Sequence, residues 1–228
     1  MNRGLIVFAR EPVPGHVKTR LAGEVGIKAA TGLYAAMLED VLECASRHND
    51  TRVLVFWAME SEVLPSHPGY PRLEMFRQCG ASLGERIAAA LEAAFASGIR
   101  TCCVIGSDSP DLPPDYITQA FQLLDHGRAD VVLGPAVDGG YYLVGTKRLW
   151  RRLFEDIAWG GSDVLKTSCE RARELGLRTA LLPEWYDLDT LADLRRLAET
   201  PGLQAPRTRQ LLRHLQEILN SPKKENSV

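Results

Sequence analysis

The stretch Thr-Cys-Cys-Val-Ile-Gly-Ser-Asp-Ser-Pro-Asp, residues 101–111, decides how this chain folds. Its apolar half ends at Ile105, acids follow at Asp108 and Asp111, and a helical pattern comes next. This order predicts a buried strand that stops near Asp108 and turns into a helix. Ligands bind at the carboxyl ends of strands in open α/β sheets, and carboxylates there can hold Mg²⁺ together with substrate phosphates. Asp108 is therefore either a metal ligand or a residue that caps the helix or closes the turn.

Apolar runs and helical patterns alternate along most of the chain. Further strands are predicted at 5–9, 53–57, 73–78, 131–133 and 179–182, and helices at 27–46, 82–96, 114–124, 148–155, 162–175, 190–199 and 206–219. Strands that are apolar on both faces are typical of a parallel sheet covered by helices. We expect a three-layer α/β/α sandwich with a mainly parallel mixed sheet, in which segment 141–145 is the antiparallel member. The pattern predicts one domain over residues 1–220 and a polar tail at 221–228.

Composition and charge exclude several classes of function. The 228 residues carry a formal net charge of −2, which gives no general attraction to nucleic acid or anionic membranes. The apolar run near the start meets Arg10 too soon for a signal peptide or a membrane span. Five cysteines without CxxC spacing argue against a zinc knuckle or a disulfide framework. We expect a cytoplasmic protein with small-molecule partners, no nucleic-acid partner and no membrane span.

The loop after the first strand is a candidate phosphate-binding element. It reads Pro-Val-Pro-Gly-His-Val-Lys-Thr-Arg-Leu over residues 12–21. Gly15 permits close backbone approach, and Lys18 and Arg20 are donors suited to phosphate oxygens. Val17 before Lys18 breaks the Walker A pattern, and the GxGxxG pattern of dinucleotide-binding folds is absent from the sequence. The alternative interpretation is a solvated basic loop.

Two later segments place acids next to predicted strand ends. Asp138 precedes two glycines, which form either a tight turn or a bare backbone surface for a ligand. In segment 185–190, alternation puts Asp187 and Asp189 on one side if the strand persists that far. One of them could reach a cation held by Asp108, or the following helix could be capped by Asp189 or Thr190.

Five motifs in register resemble a family of bacterial glycosyltransferase-like proteins of the DUF2064 type, which includes members tied to arsenosugar biosynthesis. The motifs occupy residues 8–21, 80–86, 105–112, 134–143 and 187–190, and the resemblance runs over about residues 4–197. The family is similar to nucleotide-diphospho-sugar transferases of the GT-A fold. It is more distantly similar to 2-phospholactate guanylyltransferase and the molybdenum-cofactor nucleotidyltransferases.

The resemblance implies a metal-dependent transferase that acts on a nucleotide-activated substrate. Glycosyl transfer from a nucleotide-diphospho-sugar is the first hypothesis, nucleotidyl transfer the second, and a catalytically silent nucleotide-binding module the third. The implied partners are a nucleotide sugar or a nucleoside triphosphate and a small-molecule acceptor. The implied cofactor is Mg²⁺ or Mn²⁺ on Asp108 and Asp189.

The same resemblance implies roles for individual residues. Lys18 and Arg20 would stabilise charge on the phosphates, and Asp138 would be an acceptor-side residue or a base. Two departures leave the reaction open: Asp108 and Asp111 replace an Asp-x-Asp motif, and the first loop is rich in proline rather than glycine. The implied nucleotide-binding residues are Gly15, Lys18, Thr19, Arg20, Leu83, Gly84 and Arg86.

Overall fold

The structure is a computed structural model that describes residues 2–59, 61–65, 69–199 and 204–220, with side chains to residue 215 in the last helix. The predicted tail at 221–228 lies outside the described residues. Among the described helices, none is long and apolar enough to cross a membrane.

In the described part of the chain, seven strands form one mixed sheet. They are β1 (Arg3–Arg10), β2 (Thr51–Ala58), β3 (Leu73–Arg77), β4 (Thr101–Ile105), β5 (Val131–Pro135), β6 (Tyr141–Thr146) and β7 (Thr179–Leu181). Their order in the sheet is β3-β2-β1-β4-β6-β5-β7. β6 is antiparallel to β4 and β5, and the other neighbouring strands pair in parallel. This confirms the predicted mixed sheet, including its antiparallel member.

The helices follow the predicted alternation with two differences. They are α1 (Thr19–Val25), α2 (Ile27–Ser46), α3 (Leu83–Ala96), α4 (Pro114–Asp125), α5 (Val164–Glu174), α6 (Leu191–Glu199) and α7 (Pro206–Asn220). The sequence predicted no helix at α1, because seven residues after a proline-rich loop give too little periodicity. The predicted helix at 148–155 is reduced to one 3₁₀ turn, Arg151–Leu153. Just before this turn, the Thr146 hydroxyl donates to the carbonyl of Arg148 at 2.9 Å, which competes with helical pairing.

Alternating strand residues place one apolar layer on each face of the sheet. Leu5 and Val7 of β1 pack in a cluster with residues of α2 and α4. Ile6 lies on the opposite face in a cluster with residues of α3 and α5. A further apolar cluster joins α1, α2, α6 and α7 beside the first layer. The three-layer α/β/α sandwich is therefore confirmed.

A buried carboxylate fixes the last helix to this framework. Asp40 of α2 is 3% exposed and accepts hydrogen bonds from the backbone N–H and the hydroxyl of Thr208, at 2.8 and 2.7 Å. The N–H of Arg207 donates to it at 3.1 Å. The first N–H groups of a helix have no partner within the helix, so Asp40 stabilises the start of α7 from outside.

Candidate functional site

The carboxyl ends of the parallel strands meet at one edge of the sheet, where Lys18 lies against two carboxylates. Its ammonium is 2.5 Å from Oδ1 of Asp108 and 2.8 Å from Oδ1 of Asp189. The Lys18 side chain is 3% exposed, whereas the two aspartates are about half exposed. Burial lowers the pKa of Lys18, but attraction to Asp108 and then Asp189 outweighs burial and leaves the pKa raised. Lys18 is therefore a cation, covered by its partners.

The loop before α1 turns Lys18 inward. Val17 is 3% exposed and anchors the loop in the core. Lys18 itself has φ 47° and ψ 46°, a left-handed conformation at the start of α1. Gly15, Thr19 and Arg20 are exposed on either side of it. Of the residues predicted in this loop, the structure brings Lys18 to the carboxylates and leaves the other three facing solvent.

The backbone of Asp108 is held by contacts to its neighbours. The hydroxyls of Tyr34 and Ser107 are 2.8 Å apart, and both residues are buried. The Tyr34 hydroxyl also accepts a 2.8 Å hydrogen bond from the N–H of Arg10 at the end of β1. The N–H of Leu188 donates to the carbonyl of Asp108 at 2.9 Å. These contacts fix Asp108 between β1 and segment 185–189.

Segment 185–189 is bound to the turn after β4 through side chains as well. Ser109 donates from its hydroxyl to Asp187 at 2.7 Å. Asp111 is fully buried and accepts from the hydroxyl of Tyr186 at 2.6 Å and the indole N–H of Trp185 at 3.3 Å. Burial raises the pKa of Asp111, and these donors oppose the rise. Asp111 thus acts as a tether between the two segments that carry the carboxylates.

Neither candidate aspartate caps the helix that follows it. The residue before α4 is Pro113, with no side-chain capping bond, so Asp108 does not cap this helix, and neither does Asp111. At α6, Thr190 donates from its N–H to Asp193 at 2.8 Å, and Asp193 donates from its N–H to the Thr190 hydroxyl at 3.3 Å. This reciprocal pair caps α6, which leaves the side chain of Asp189 available to Lys18.

Asp187 is a third acid of the cluster. Burial, followed by repulsion from Asp108, raises its pKa to about 6, and the Ser109 hydrogen bond and the Lys18 charge oppose the rise. The sequence predicted that Asp187 and Asp189 lie on one side if the strand persists that far. β7 ends at Leu181, yet Asp187 lines the cavity and Asp189 contacts Lys18, so both side chains lie at this edge.

A cavity of about 490 Å³ opens beside the acids. Four predicted site residues line it: Leu83, Arg86, Asp108 and Asp138. Oδ1 of Asp138 accepts from the N–H of Gly140 at 2.9 Å, which closes the predicted glycine turn. The volume falls within the range of about 300–1,000 Å³ that is usual for small-molecule sites.

Gly84 contributes to this region through packing. A Cβ at this position would lie 2.2 Å from the carbonyl oxygen of Phe154 and 2.8 Å from the indole nitrogen of Trp159. Glycine therefore lets α3 approach the segment that carries Trp159, which in turn lines the cavity.

Gln78 is a cavity residue that the sequence did not single out. Its side-chain N–H group donates to the carbonyls of Phe56 at 2.9 Å and Ala9 at 3.3 Å, which fixes the side chain across the ends of β2 and β1. The available signal was its place directly after β3, at the same edge of the sheet as Asp108. Arg10, at the end of β1, lines the same wall.

The donor set fits a hard divalent cation that keeps ligands from a substrate. Asp108 and Asp189 present carboxylate oxygens to one position, and the Lys18 ammonium shows that positive charge is accommodated there. In the described part of the chain, no three His, Cys, Asp or Glu side chains form a complete metal site. Mg²⁺ is commonly held by one or two carboxylates plus water and substrate phosphates, so two carboxylates suffice.

Comparison with known proteins identifies the fold and the family. No curated protein matches the chain. A crystal structure from Desulfovibrio desulfuricans G20, provisionally named a nucleotide-diphospho-sugar transferase, superposes with a TM-score of 0.84 at 31% identity and covers 96% of each chain. A 4-diphosphocytidyl-2C-methyl-D-erythritol synthase superposes at 0.56 and 14% identity, over 92% of this chain and 98% of that one. A cytidylyltransferase from Leptospira borgpetersenii serovar Hardjo-bovis (strain JB197) superposes at 0.55 and 15% identity, over 97% and 98%. The fold is thus that of nucleotide-diphospho-sugar transferases and cytidylyltransferases.

A family pattern matches residues 41–161, more than half of the sequence. The chain therefore belongs to the family described as an uncharacterized protein conserved in bacteria, DUF2064.

Proposed function

We propose that this protein is a transferase that moves a glycosyl group from a nucleotide-diphospho-sugar to a small-molecule acceptor. The observation that carries the proposal is the meeting of Lys18, Asp108 and Asp189 beside the cavity, which Asp108 lines. Cations and carboxylates at the carboxyl edge of an α/β sheet suit a nucleotide diphosphate and its metal. The relative from Desulfovibrio desulfuricans G20 bears a name of the same kind.

The nucleotide would occupy the β1–β3 side of the cavity. Arg10, Gln78 and Arg86 line that region and offer polar groups to it. Leu83 adds an apolar surface at the start of α3. The predicted contacts from the exposed residues Gly15, Thr19 and Arg20 would come from the neighbouring loop when a ligand is bound.

Asp108 and Asp189 are the residues that would hold Mg²⁺ or Mn²⁺. Such a cation, when bound, supplies neutralisation of the negative charge on the diphosphate. Lys18 and Arg86 would add positive charge from the protein to the same group. The remaining ligands of the cation would be phosphate oxygens and water.

In the glycosyl reaction, an acceptor hydroxyl attacks the anomeric carbon and the bond to the diphosphate breaks. The nucleoside diphosphate leaves, and the hydroxyl proton passes to a carboxylate of the cavity. Asp138, which the resemblance implies as an acceptor-side residue or a base, lies exposed in the glycine turn. Asp187 lines the cavity beside Asp108 and is the second candidate for this role.

Nucleotidyl transfer is a second candidate, favoured by the fold shared with the cytidylyltransferase from Leptospira borgpetersenii serovar Hardjo-bovis (strain JB197). In that reaction a substrate phosphate attacks the α-phosphorus of a nucleoside triphosphate, and pyrophosphate leaves. The phosphate-holding residues would be the same, and the leaving group distinguishes the two reactions.

We place the reaction in the cytoplasm, because all five cysteines are free thiols and disulfides are rare in reducing compartments. We further propose that residues 1–220 act as one domain, since β1 and α7 are joined to one another through α2.

Phosphorus NMR of the purified protein with nucleotide sugars or nucleoside triphosphates and Mg²⁺, which is diamagnetic, tests the proposal. Glycosyl transfer, or slow hydrolysis of its donor, releases a nucleoside diphosphate, whereas nucleotidyl transfer releases pyrophosphate. Asp108→Asn should abolish the release, and Asp115→Asn, an exposed residue of α4, should leave it unchanged. Pyrophosphate in place of a nucleoside diphosphate would favour the second candidate. Absence of nucleotide binding by the wild-type protein would contradict both.

A further inference from the structure

We infer that Lys18 holds the position of the divalent cation until a nucleotide arrives, so that metal and nucleotide bind together. This inference rests on the proposed function, because it takes Asp108 and Asp189 as the metal ligands. It assigns Lys18 two successive partners: the carboxylates in the free protein and the phosphates in the loaded one.

The geometry places the ammonium where the cation would have to be. Lys18 Nζ lies 2.5 Å from Asp108 and 2.8 Å from Asp189, each contact being made to Oδ1. Mg²⁺ binds carboxylate oxygens at about 2.0–2.1 Å, so a cation shared by these oxygens would overlap the ammonium. Two cations cannot share this position. A metal held by both of these Oδ1 atoms would therefore require Lys18 to leave.

The charges also disfavour a metal that arrives without a nucleotide. Lys18 neutralises one of the two negative charges of Asp108 and Asp189, and its side chain is 3% exposed. A free divalent cation would meet a like charge at contact distance. A nucleotide diphosphate reverses this balance, because it offers Lys18 a new anionic partner and gives the metal additional oxygen ligands.

The backbone permits the exchange. Lys18 has a left-handed conformation at the junction of an exposed loop and α1, outside the sheet. Its side chain has four flexible carbons and a point charge that can pair with either group. The ammonium can therefore change partner by side-chain rotation, while Asp108 stays fixed by Leu188 and β4.

The test is a titration of the protein with Mn²⁺ in the absence of nucleotide. The electron paramagnetic resonance signal of the free ion measures how much Mn²⁺ remains unbound. Lys18→Met removes the charge at nearly constant length, and it should bind Mn²⁺ about tenfold tighter than the wild type, since a like charge at contact is lost. Lys28→Met is the matched control: Lys28 is exposed on α2, and the substitution changes the net charge equally. It should bind Mn²⁺ as the wild type does.

Lys18→Gln is measured alongside, because its amide can still donate to the carboxylates. This variant keeps the test decisive if Lys18→Met does not fold. Both neutral variants should bind Mn²⁺ more tightly, and adding Asp189→Asn to either should remove the gain. A gain below about threefold in the folded variants, or an equal gain in Lys28→Met, would overturn the inference.

In a second experiment, a nucleoside diphosphate is added to each protein. The nucleotide should raise the Mn²⁺ affinity of the wild type more than that of Lys18→Met, because displacement of the ammonium is needed in the wild type alone. An equal rise in both would contradict the exchange. If no nucleotide binds the wild type, the proposed function fails, while the titration without nucleotide still decides whether Lys18 competes with the metal.

Discussion

The carboxylate of Asp111 accepts a 2.6 Å hydrogen bond from the hydroxyl of Tyr186, a residue 75 positions later in the chain. This bond joins the turn that carries Asp108 to the segment that carries Asp187 and Asp189. The distance between the site carboxylates therefore depends on a residue that does not line the cavity.

Replacing Asp111 with Ala should destabilise the protein by about 2–4 kcal/mol, because the Tyr186 hydroxyl and the Trp185 indole N–H lose a buried acceptor. Asp111→Asn should cost less, since its amide can accept from Trp185 and donate to Tyr186. Urea unfolding measures both differences. Equal stability of Asp111→Ala and the wild type would show that the tether contributes nothing.

The same residue predicts a pH dependence of stability. Burial raises the pKa of Asp111 in the folded state above the ordinary value of about 3.9. Between these two pKa values the folded state binds more protons than the unfolded state, so this contribution to stability is present at low pH and lost as the pH rises through the folded pKa. Relative to Asp111→Asn, the wild type should lose stability from about pH 4 upward. A difference in the free energy of unfolding between the wild type and Asp111→Asn that stays constant with pH would contradict the prediction.

Gly139 allows the glycine turn to pack on the segment before α5. Its φ is 90°, and an added Cβ would lie 2.0 Å from the carbonyl oxygen of Ser162. Gly98 has φ 89° and open space around it, so an alanine there suffers the backbone strain without a collision and serves as the control. Gly98→Ala should cost about 1–2 kcal/mol from strain. Gly139→Ala should cost about 1–3 kcal/mol more, because the neighbouring backbone must move.

Besides the free energy of unfolding, nucleotide affinity can be compared between Gly139→Ala and Gly98→Ala. The segment that Gly139→Ala displaces includes Gly160, Gly161 and Val164, which line the cavity. Ligand binding should weaken in that variant and remain normal in Gly98→Ala. Equal stability and equal binding in the two variants would show that the close approach to Ser162 is unimportant.

Asp40 should be the main support of α7. Asp40→Ala removes three hydrogen bonds to a buried charged acceptor, and we expect a loss of about 3 kcal/mol. Glu170→Ala, an exposed acid of α5, should change stability by less than about 0.5 kcal/mol. Thermal and urea unfolding of the two variants check this. A loss in Asp40→Ala no larger than that in Glu170→Ala would contradict it.

The sequence predicted the fold well because its central strands are solid apolar runs, which only a sheet covered on both faces can bury. Asp108 was found because it directly follows such a run. The sequence did not reveal α1, since a short helix after two prolines leaves little periodic pattern. Spacing also could not show that the left-handed turn at Lys18 directs its ammonium onto the carboxylates rather than into solvent.

The sequence does carry a signal for the cap of α6. Thr190 and Asp193 have the spacing of a capping box, which assigns the cap of α6 to Thr190 and frees Asp189. The role of Asp111 had no such signal, because its partners Trp185 and Tyr186 are distant in sequence. Contacts of this kind follow from the packing of the whole chain.

The central claim is that Asp108 joins a divalent cation to a bound nucleotide. Thermal unfolding in the presence of a nucleoside diphosphate, measured with and without Mn²⁺, tests this directly, because a ligand that binds the native state raises the melting temperature. The wild type should show a larger rise when Mn²⁺ and nucleotide are both present, and Asp108→Asn should lose that metal-dependent part while Asp115→Asn keeps it. An undiminished metal-dependent rise in Asp108→Asn would contradict the account.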